Sequence, residues 1–252
     1  RIPISSRNPD IDAICGKKPR MVILNRIDMA DADLVSRWSN YFKGKGMAVI
    51  RTDCKSRKGI NTFAPAVRQL LAEKLQRYAE KGQVGRPLKL MVVGIPNVGK
   101  STFINQIAGR KGAKAENRPG VTRGKQWVNV DGGLLLLDTP GILWPKFDDP
   151  EVGMRLAYTG AVKDDILDTE TLGCHLMELL AREYPGALTE RYKIEIPAEI
   201  DGWELLQAAG RKRGFLVSGG EVDTERMARV LLEEYRSCKL GTFTLERPEE
   251  LA

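Results

Sequence analysis

The run Gly94-Ile-Pro-Asn-Val-Gly-Lys-Ser101 satisfies the spacing G-x-x-x-x-G-K-[ST] in full, and nothing else in these 252 residues restricts the fold as much. A β-rich stretch, Leu-Lys-Leu-Met-Val-Val over 88–93, precedes it, and a helical pattern over 101–109 follows. In such a strand–loop–helix unit the glycines let backbone N–H groups close around phosphate oxygens, and the helix N-terminus adds a favourable dipole. Lys100 is placed to reach the β- and γ-oxygens, and Ser101 to ligate Mg²⁺. A chance glycine-rich turn would not carry both flanks. Asn97, Val98, Gly99, Lys100, Ser101 and Thr102 are therefore the expected ligands on the phosphate side.

The surrounding pattern predicts an α/β P-loop fold with a parallel-dominated sheet. Strands are expected over 21–25, 48–52, 89–94, 126–130 and 134–138, with helices over 31–43 and 62–81 between them. Residues 82–87 form a Gly/Pro linker into the central strand. After Pro150 strand signals fade. Leu172, Leu176, Leu179 and Leu180 share one helical face, as do Met227, Val230, Leu231 and Cys238. Asp223 and Thr224 suit an N-cap. Two domains are expected, an α/β unit over 1–150 and a small all-helical unit over 151–252.

Asp138-Thr-Pro-Gly141 ends the last strand, where P-loop proteins place a Mg²⁺-holding carboxylate and a glycine N–H for a γ-phosphate. Alone this tetrapeptide is ordinary turn chemistry; behind a P-loop it is specific. Thr122, in Arg118–Lys125, is read as completing the Mg²⁺ shell, against an alternative as a plain loop threonine. The base is read elsewhere. Asn25-Arg-Ile-Asp28 closes the first strand and resembles the guanine-specificity motif Asn-Lys-x-Asp. Its aspartate accepts from the guanine N1–H and exocyclic amine, which adenine cannot supply. Arg26 stands in the lysine's place, with its aliphatic stem available to the base. Asp53, Cys54 and Lys55, after the second strand, resemble the loop whose backbone N–H meets the guanine oxygen. Both base motifs sit at carboxyl ends of strands, where open α/β sheets bind ligands. They precede the P-loop, whereas Ras-like chains place them last. This is a circularly permuted order, and joining old termini while cutting elsewhere preserves the contacts.

Arg1–Pro9, Gly94–Asn105, Arg118–Thr122 and Asp138–Phe147 resemble the bacterial ribosome-biogenesis GTPase A family, with similarity over essentially the whole chain. The resemblance implies GTP binding and hydrolysis, with Lys100, Thr122 and Gly141 in the catalytic site. It also implies action on the large ribosomal subunit and an RNA-binding helical domain. A further strand and a histidine-bearing segment are expected ahead of Arg1. Where Ras has a water-orienting glutamine this chain has Ile142, so charge stabilisation must come from another group. Asn97 corresponds to an asparagine that holds K⁺ in similar GTPases, against a reading as a loop cap. His175, flanking an apolar helix face, is expected to be structural.

Charge and composition narrow the partners. Residues 1–150 hold 27 Lys and Arg against 13 Asp and Glu, whereas 151–252 hold 13 against 20. The basic half suits a polyanion, ribosomal RNA above all, with Arg110, Lys111, Lys114, Arg118, Arg123 and Lys125 and the run Arg211-Lys212-Arg213 as candidate contacts. Apolar runs such as 134–137 are far too short to span a membrane. The four cysteines lack metal-ligand spacing and read as reduced thiols in the cytoplasm. The chain is expected to be monomeric. Two rival readings stand beside a ribosome-stimulated GTPase: an RNA-binding factor using GTP and GDP only as a placement switch, and an ATP-dependent P-loop enzyme, which Asp28 opposes.

Overall fold

The computed structural model describes residues 1–109, 126–130, 133–141, 143–144, 147, 149–162 and 168–251. Thr122, Ile142 and the basic residues of 110–125 lie outside this set. The chain divides into two compact units, Arg1–Phe147 with Phe243–Ala252, and Asp148–Thr242. The sequence reading put all of 151–252 together. The return of the last ten residues to the first unit carries no periodic signal and rests on contacts with residues more than two hundred positions away.

In the first unit, helix α1 (Ile11–Cys15) precedes strand β1 (Met21–Leu24), helix α2 (Ala32–Gly44) and strand β2 (Ala48–Arg51). Helices α3 (Phe63–Leu70) and α4 (Ala72–Glu80) lead to β3 (Leu88–Val92), α5 (Lys100–Ala108), β4 (Gln126–Val130) and β5 (Leu134–Asp138). The single helix expected over 62–81 bends at Leu71, whose ψ of 20° departs from helical values. The hydrogen bonds Leu71 N to Val67 O and Leu75 N to Leu71 O, both 3.0 Å, continue through the bend. The described strands form two sheets. In one, β1 pairs parallel with β2; in the other, β5 lies between β3, parallel to it, and β4, antiparallel. Parallel pairing leaves both faces for helices. One core joins the two sheets, bringing Ile50 together with Leu134, Leu136, Phe103 and Phe63. Phe63 and Phe103 meet edge to face at 5.2 Å. On the other face of β1 and β2, Val22, Leu24 and Val49 pack against Leu34, Trp38 and Phe42 of α2. Two layers thus fix where β1, β2, β3 and β5 end.

The second unit holds α6 (Pro150–Tyr158), α7 (Thr169–Glu183), α8 (Pro185–Tyr192), α9 (Gly202–Arg213) and α10 (Thr224–Arg236). Asp168, Asp201 and Asp223 cap α7, α9 and α10 by accepting the N–H of Thr171, Glu204 and Arg226, each worth about 1 kcal/mol. Leu172, Leu176 and Leu180 of α7 and Met227 and Leu231 of α10 are buried. Gly173 lets α10 approach closely, since a Cβ there would lie 2.5 Å from that of Ala228. His175 is half-exposed on α7, 3.8 Å from Glu178.

One buried polar cluster ties α8, α9 and α10 together. The Glu234 carboxylate accepts from Arg191 at 2.5 and 3.0 Å, from Arg213 at 2.9 Å and from the Tyr192 hydroxyl at 2.9 Å. Burial raises the Glu234 pKa, but the bonds from Arg191 and Tyr192 and the Arg213 charge outweigh it and hold it below the usual glutamate value. A depressed folded-state pKa stabilises above the unfolded value and is lost as pH falls through the folded one. Glu234→Gln is therefore expected to cost about 3 kcal/mol near neutrality and to flatten the loss of stability below pH ~4.5. Denaturant titrations of both proteins across pH 3 to 7 check this.

Candidate functional site

The site is assembled from the carboxyl ends of β1, β2, β3 and β5. β1 ends at Leu24, so Asn25 leaves the sheet directly. Arg26 takes a left-handed conformation, φ 55°, and starts a tight 3-10 turn over Ile27–Met29 that carries Asp28. The Asp28 side chain is exposed and open to a ligand. Ile27 N donates to Thr52 O at 3.3 Å, fastening this turn to the end of β2.

Asn25 joins the motifs. Its Nδ2 donates to the Val98 carbonyl of the P-loop at 2.9 Å. Its Oδ1 accepts from Thr52 Oγ1 and from the Cys54 thiol, both at 3.1 Å. One side-chain amide thus ties together the base loop, the 52–55 loop and the P-loop, which are scattered over 73 residues of sequence. Gly99 follows from this proximity: it has φ 92°, and a Cβ would lie 2.5 Å from Asn25 Nδ2. Asp53 turns inward, accepting from Lys55 N at 2.8 Å and Ser56 N at 3.2 Å. Burial raises its pKa, yet these donors and the Lys55 charge bring it below the ordinary aspartate value. The carboxylate shapes the loop. Burial pushes the Cys54 thiol up to about 11, so it is a donor and not a nucleophile.

At the phosphate end, Asn97 also has a left-handed backbone, φ 60°, and Lys100 opens α5. Lys100 Nζ donates to the Ile95 carbonyl at 2.7 Å, folding back over the loop. Burial lowers its pKa to about 8, partly opposed by the nearby Asp138 charge. Asp138 is fully buried at the end of β5. Thr139 Oγ1 donates to Val92 O at 2.7 Å and holds the following turn against β3. Gly141 then lies against the P-loop: a Cβ would meet Pro96 N at 2.7 Å and Lys100 Nζ at 2.9 Å. Ser101 and Thr102 lie in the first turn of α5.

Of the residues expected from sequence, Asn25 and Cys54 meet through a hydrogen bond, as do Asn25 and Val98, and Gly141 approaches Lys100. Thr139 and the Ile95 carbonyl were not expected. Thr139 sits inside the Asp-Thr-Pro-Gly motif, but a backbone acceptor such as Ile95 leaves no sequence signal. Among the described residues no group of three or more His, Cys, Asp and Glu could hold a metal, the cysteines are free, and no helix is long and apolar enough to cross a membrane.

Fold and site together define the class: a P-loop nucleotide-binding protein whose base motifs precede its phosphate loop. The family model for 50S ribosome-binding GTPases matches residues 89–187. Ribosome biogenesis GTPase A of Priestia megaterium is 46% identical over 252 residues, covering 99% of this chain and 87% of that protein. The GDP-bound structure of YlqF from Thermotoga maritima superposes with a TM-score of 0.70 at 26% identity, covering 98% of this chain and 90% of that one. Its GNP-bound counterpart gives 0.68 at 27% identity, covering 98% and 88%. This chain belongs to the ribosome biogenesis GTPase A family, circularly permuted GTPases that hydrolyse GTP and take part in ribosome biogenesis.

Proposed function

We propose that this protein is a nucleotide-switched GTPase that assists assembly of the large ribosomal subunit and turns over GTP on contact with it. The observation that carries the reading is the Asn25 amide, which bonds the P-loop at Val98 and the second base loop at Thr52 and Cys54. It gathers the permuted motifs around one ligand. Asp28 selects guanine, with Arg26 along the base and the 53–55 loop at the guanine oxygen. The N–H groups of 97–102 and the Lys100 ammonium hold the phosphates, and Gly141 meets the γ-phosphate.

Mg²⁺ suits the oxygen donors present, a hydroxyl from Ser101 at the head of α5 and the buried Asp138 carboxylate; Thr122 is its proposed switch ligand. When bound, the ion neutralises phosphate charge. Asn97 offers an amide oxygen on the P-loop to K⁺, which would offset charge developing in hydrolysis as an arginine finger does. The match to the family of 50S ribosome-binding GTPases supports the large subunit as partner. Arg211 and Lys212 are exposed and available to ribosomal RNA, while Arg213 is engaged by Glu234. The protein acts, on this reading, as a cytoplasmic monomer.

The test is GTP turnover with and without large ribosomal subunits, in K⁺ and then in Na⁺. At least tenfold stimulation by subunits in K⁺, falling severalfold in Na⁺, is expected. Slow turnover that subunits do not change, in a protein that still binds them, would instead make GTP a placement signal for a passive RNA-binding factor.

A further inference from the structure

The returning C-terminal segment makes polar contacts with the end of the turn that carries Asp28, with the N-cap of α2 and with residues 1–5. The Phe243 amide donates to the carbonyl of Met29, the next residue along, at 3.3 Å. The Asp31 amide donates to Thr244 Oγ1 at 3.2 Å, while the Asp31 carboxylate caps α2 by accepting from Leu34 N at 2.9 Å. The segment is deeply buried, with Phe243, Thr244 and Glu246 each 3% exposed.

Glu246 fastens the segment in turn. Ile4 N donates to its Oε2 at 2.6 Å and Ser5 N to its Oε1 at 2.9 Å. The Ser5 hydroxyl also donates to Oε1, and Trp38 Nε1 donates to the Glu246 carbonyl at 2.9 Å. If the segment served only to fill the core, apolar side chains would do so without burying a carboxylate and a hydroxyl. Here the polar groups are satisfied by backbone amides, which fixes register as well as burial.

The Asp28 turn therefore has two moorings. One is its own sheet, through Asn25 and the Ile27–Thr52 bond. The other is residues 243–244, which bond Met29 at the end of the turn and Asp31 at the N-cap of α2. We propose that 243–246 is a positioning segment for guanine recognition, with Thr244 and Glu246 as positioning residues that aim the Asp28 carboxylate. The inference rests on the reading of Asp28 as the guanine acceptor. It makes base affinity depend on the docking of the chain that leaves the helical unit, so that undocking this segment would loosen the nucleotide.

The test is calorimetric titration of GDP and inosine diphosphate into the intact chain and into Thr244→Val, Thr244→Ser and Glu246→Gln variants. Inosine diphosphate lacks the exocyclic amine and forfeits one bond to Asp28, so the unaltered protein should prefer GDP about tenfold. Thr244→Val, close in shape, should weaken GDP about tenfold and shrink the preference to under about threefold. Glu246→Gln should do the same, and Thr244→Ser, which keeps the hydroxyl, should retain the full preference. A preference unchanged in Thr244→Val, with only the melting temperature lowered, would reduce the segment to packing and overturn the inference. No preference in the unaltered protein would overturn the reading of Asp28 itself, a separate failure visible before any variant is made.

Discussion

Asp28→Asn is expected to weaken GDP about a thousandfold and to make xanthosine diphosphate the better ligand. Guanine presents two donors, N1–H and the exocyclic amine, and the proposed role of the Asp28 carboxylate is to accept both. Hydrogen bonds to a charged group contribute about 1.5–3 kcal/mol each, so losing the pair costs several powers of ten. The asparagine amide turns one acceptor into a donor facing the guanine amine. Xanthine carries a carbonyl there, and the amide then pairs with both edges. The exposure of Asp28 at the tip of its turn, away from the core, implies that the substitution leaves the fold intact. Titration of both diphosphates into both proteins checks the exchange. Equal losses for the two would point to a damaged loop.

Gly141→Ala is expected to lower GTP hydrolysis at least about a hundredfold while changing GDP affinity less than about threefold. A methyl at this position would stand 2.7 Å from Pro96 N and 2.8 Å from Pro96 Cα, closer than real Cβ atoms approach backbone. Thr139, bonded to Val92 O at 2.7 Å, keeps the preceding residues from moving aside. The strain must then displace Gly141 from the P-loop and withdraw the N–H proposed to meet the γ-phosphate. GDP has no γ-phosphate and should bind as before. Single-turnover hydrolysis and a GDP titration separate the two effects. A parallel loss of GDP affinity would mean that the P-loop itself had been pushed out of shape.

The parts of this molecule written in local sequence were legible. Strands over 21–24, 48–51, 88–92, 126–130 and 134–138 follow from β-rich runs bounded by turn residues, each within a residue or two of expectation. The P-loop and Asp138–Gly141 were readable because phosphate binding demands particular residues at fixed spacing. The helix expected over 62–81 bends at Leu71, where no Gly or Pro announces a break. The division of five strands into two sheets was equally hidden, since every strand carries the same apolar signature whichever neighbour it pairs with. Asn25 and Asp53 show a subtler limit. Sequence placed both against the nucleotide; it did not show that Asn25 also bonds the P-loop and the 52–55 loop or that Asp53 accepts from its own loop. Spacing reveals which residues a site needs, but not whether they touch the ligand or hold those that do. The C-terminal segment was the least legible part. Glu246 bonds Ser5 across 241 positions, and no periodicity records such a contact.

The most direct test is competitive binding of GDP and ADP to this chain, read as the displacement of a fluorescent guanine nucleotide. If the base loops and the P-loop form one site despite their reversed order, GDP should bind one-to-one and displace the label, with ADP at least about a thousandfold weaker. Equal displacement by ADP and GDP would contradict the account, leaving a phosphate loop that does not read the base and motifs at 25–28 and 53–55 that take no part in binding.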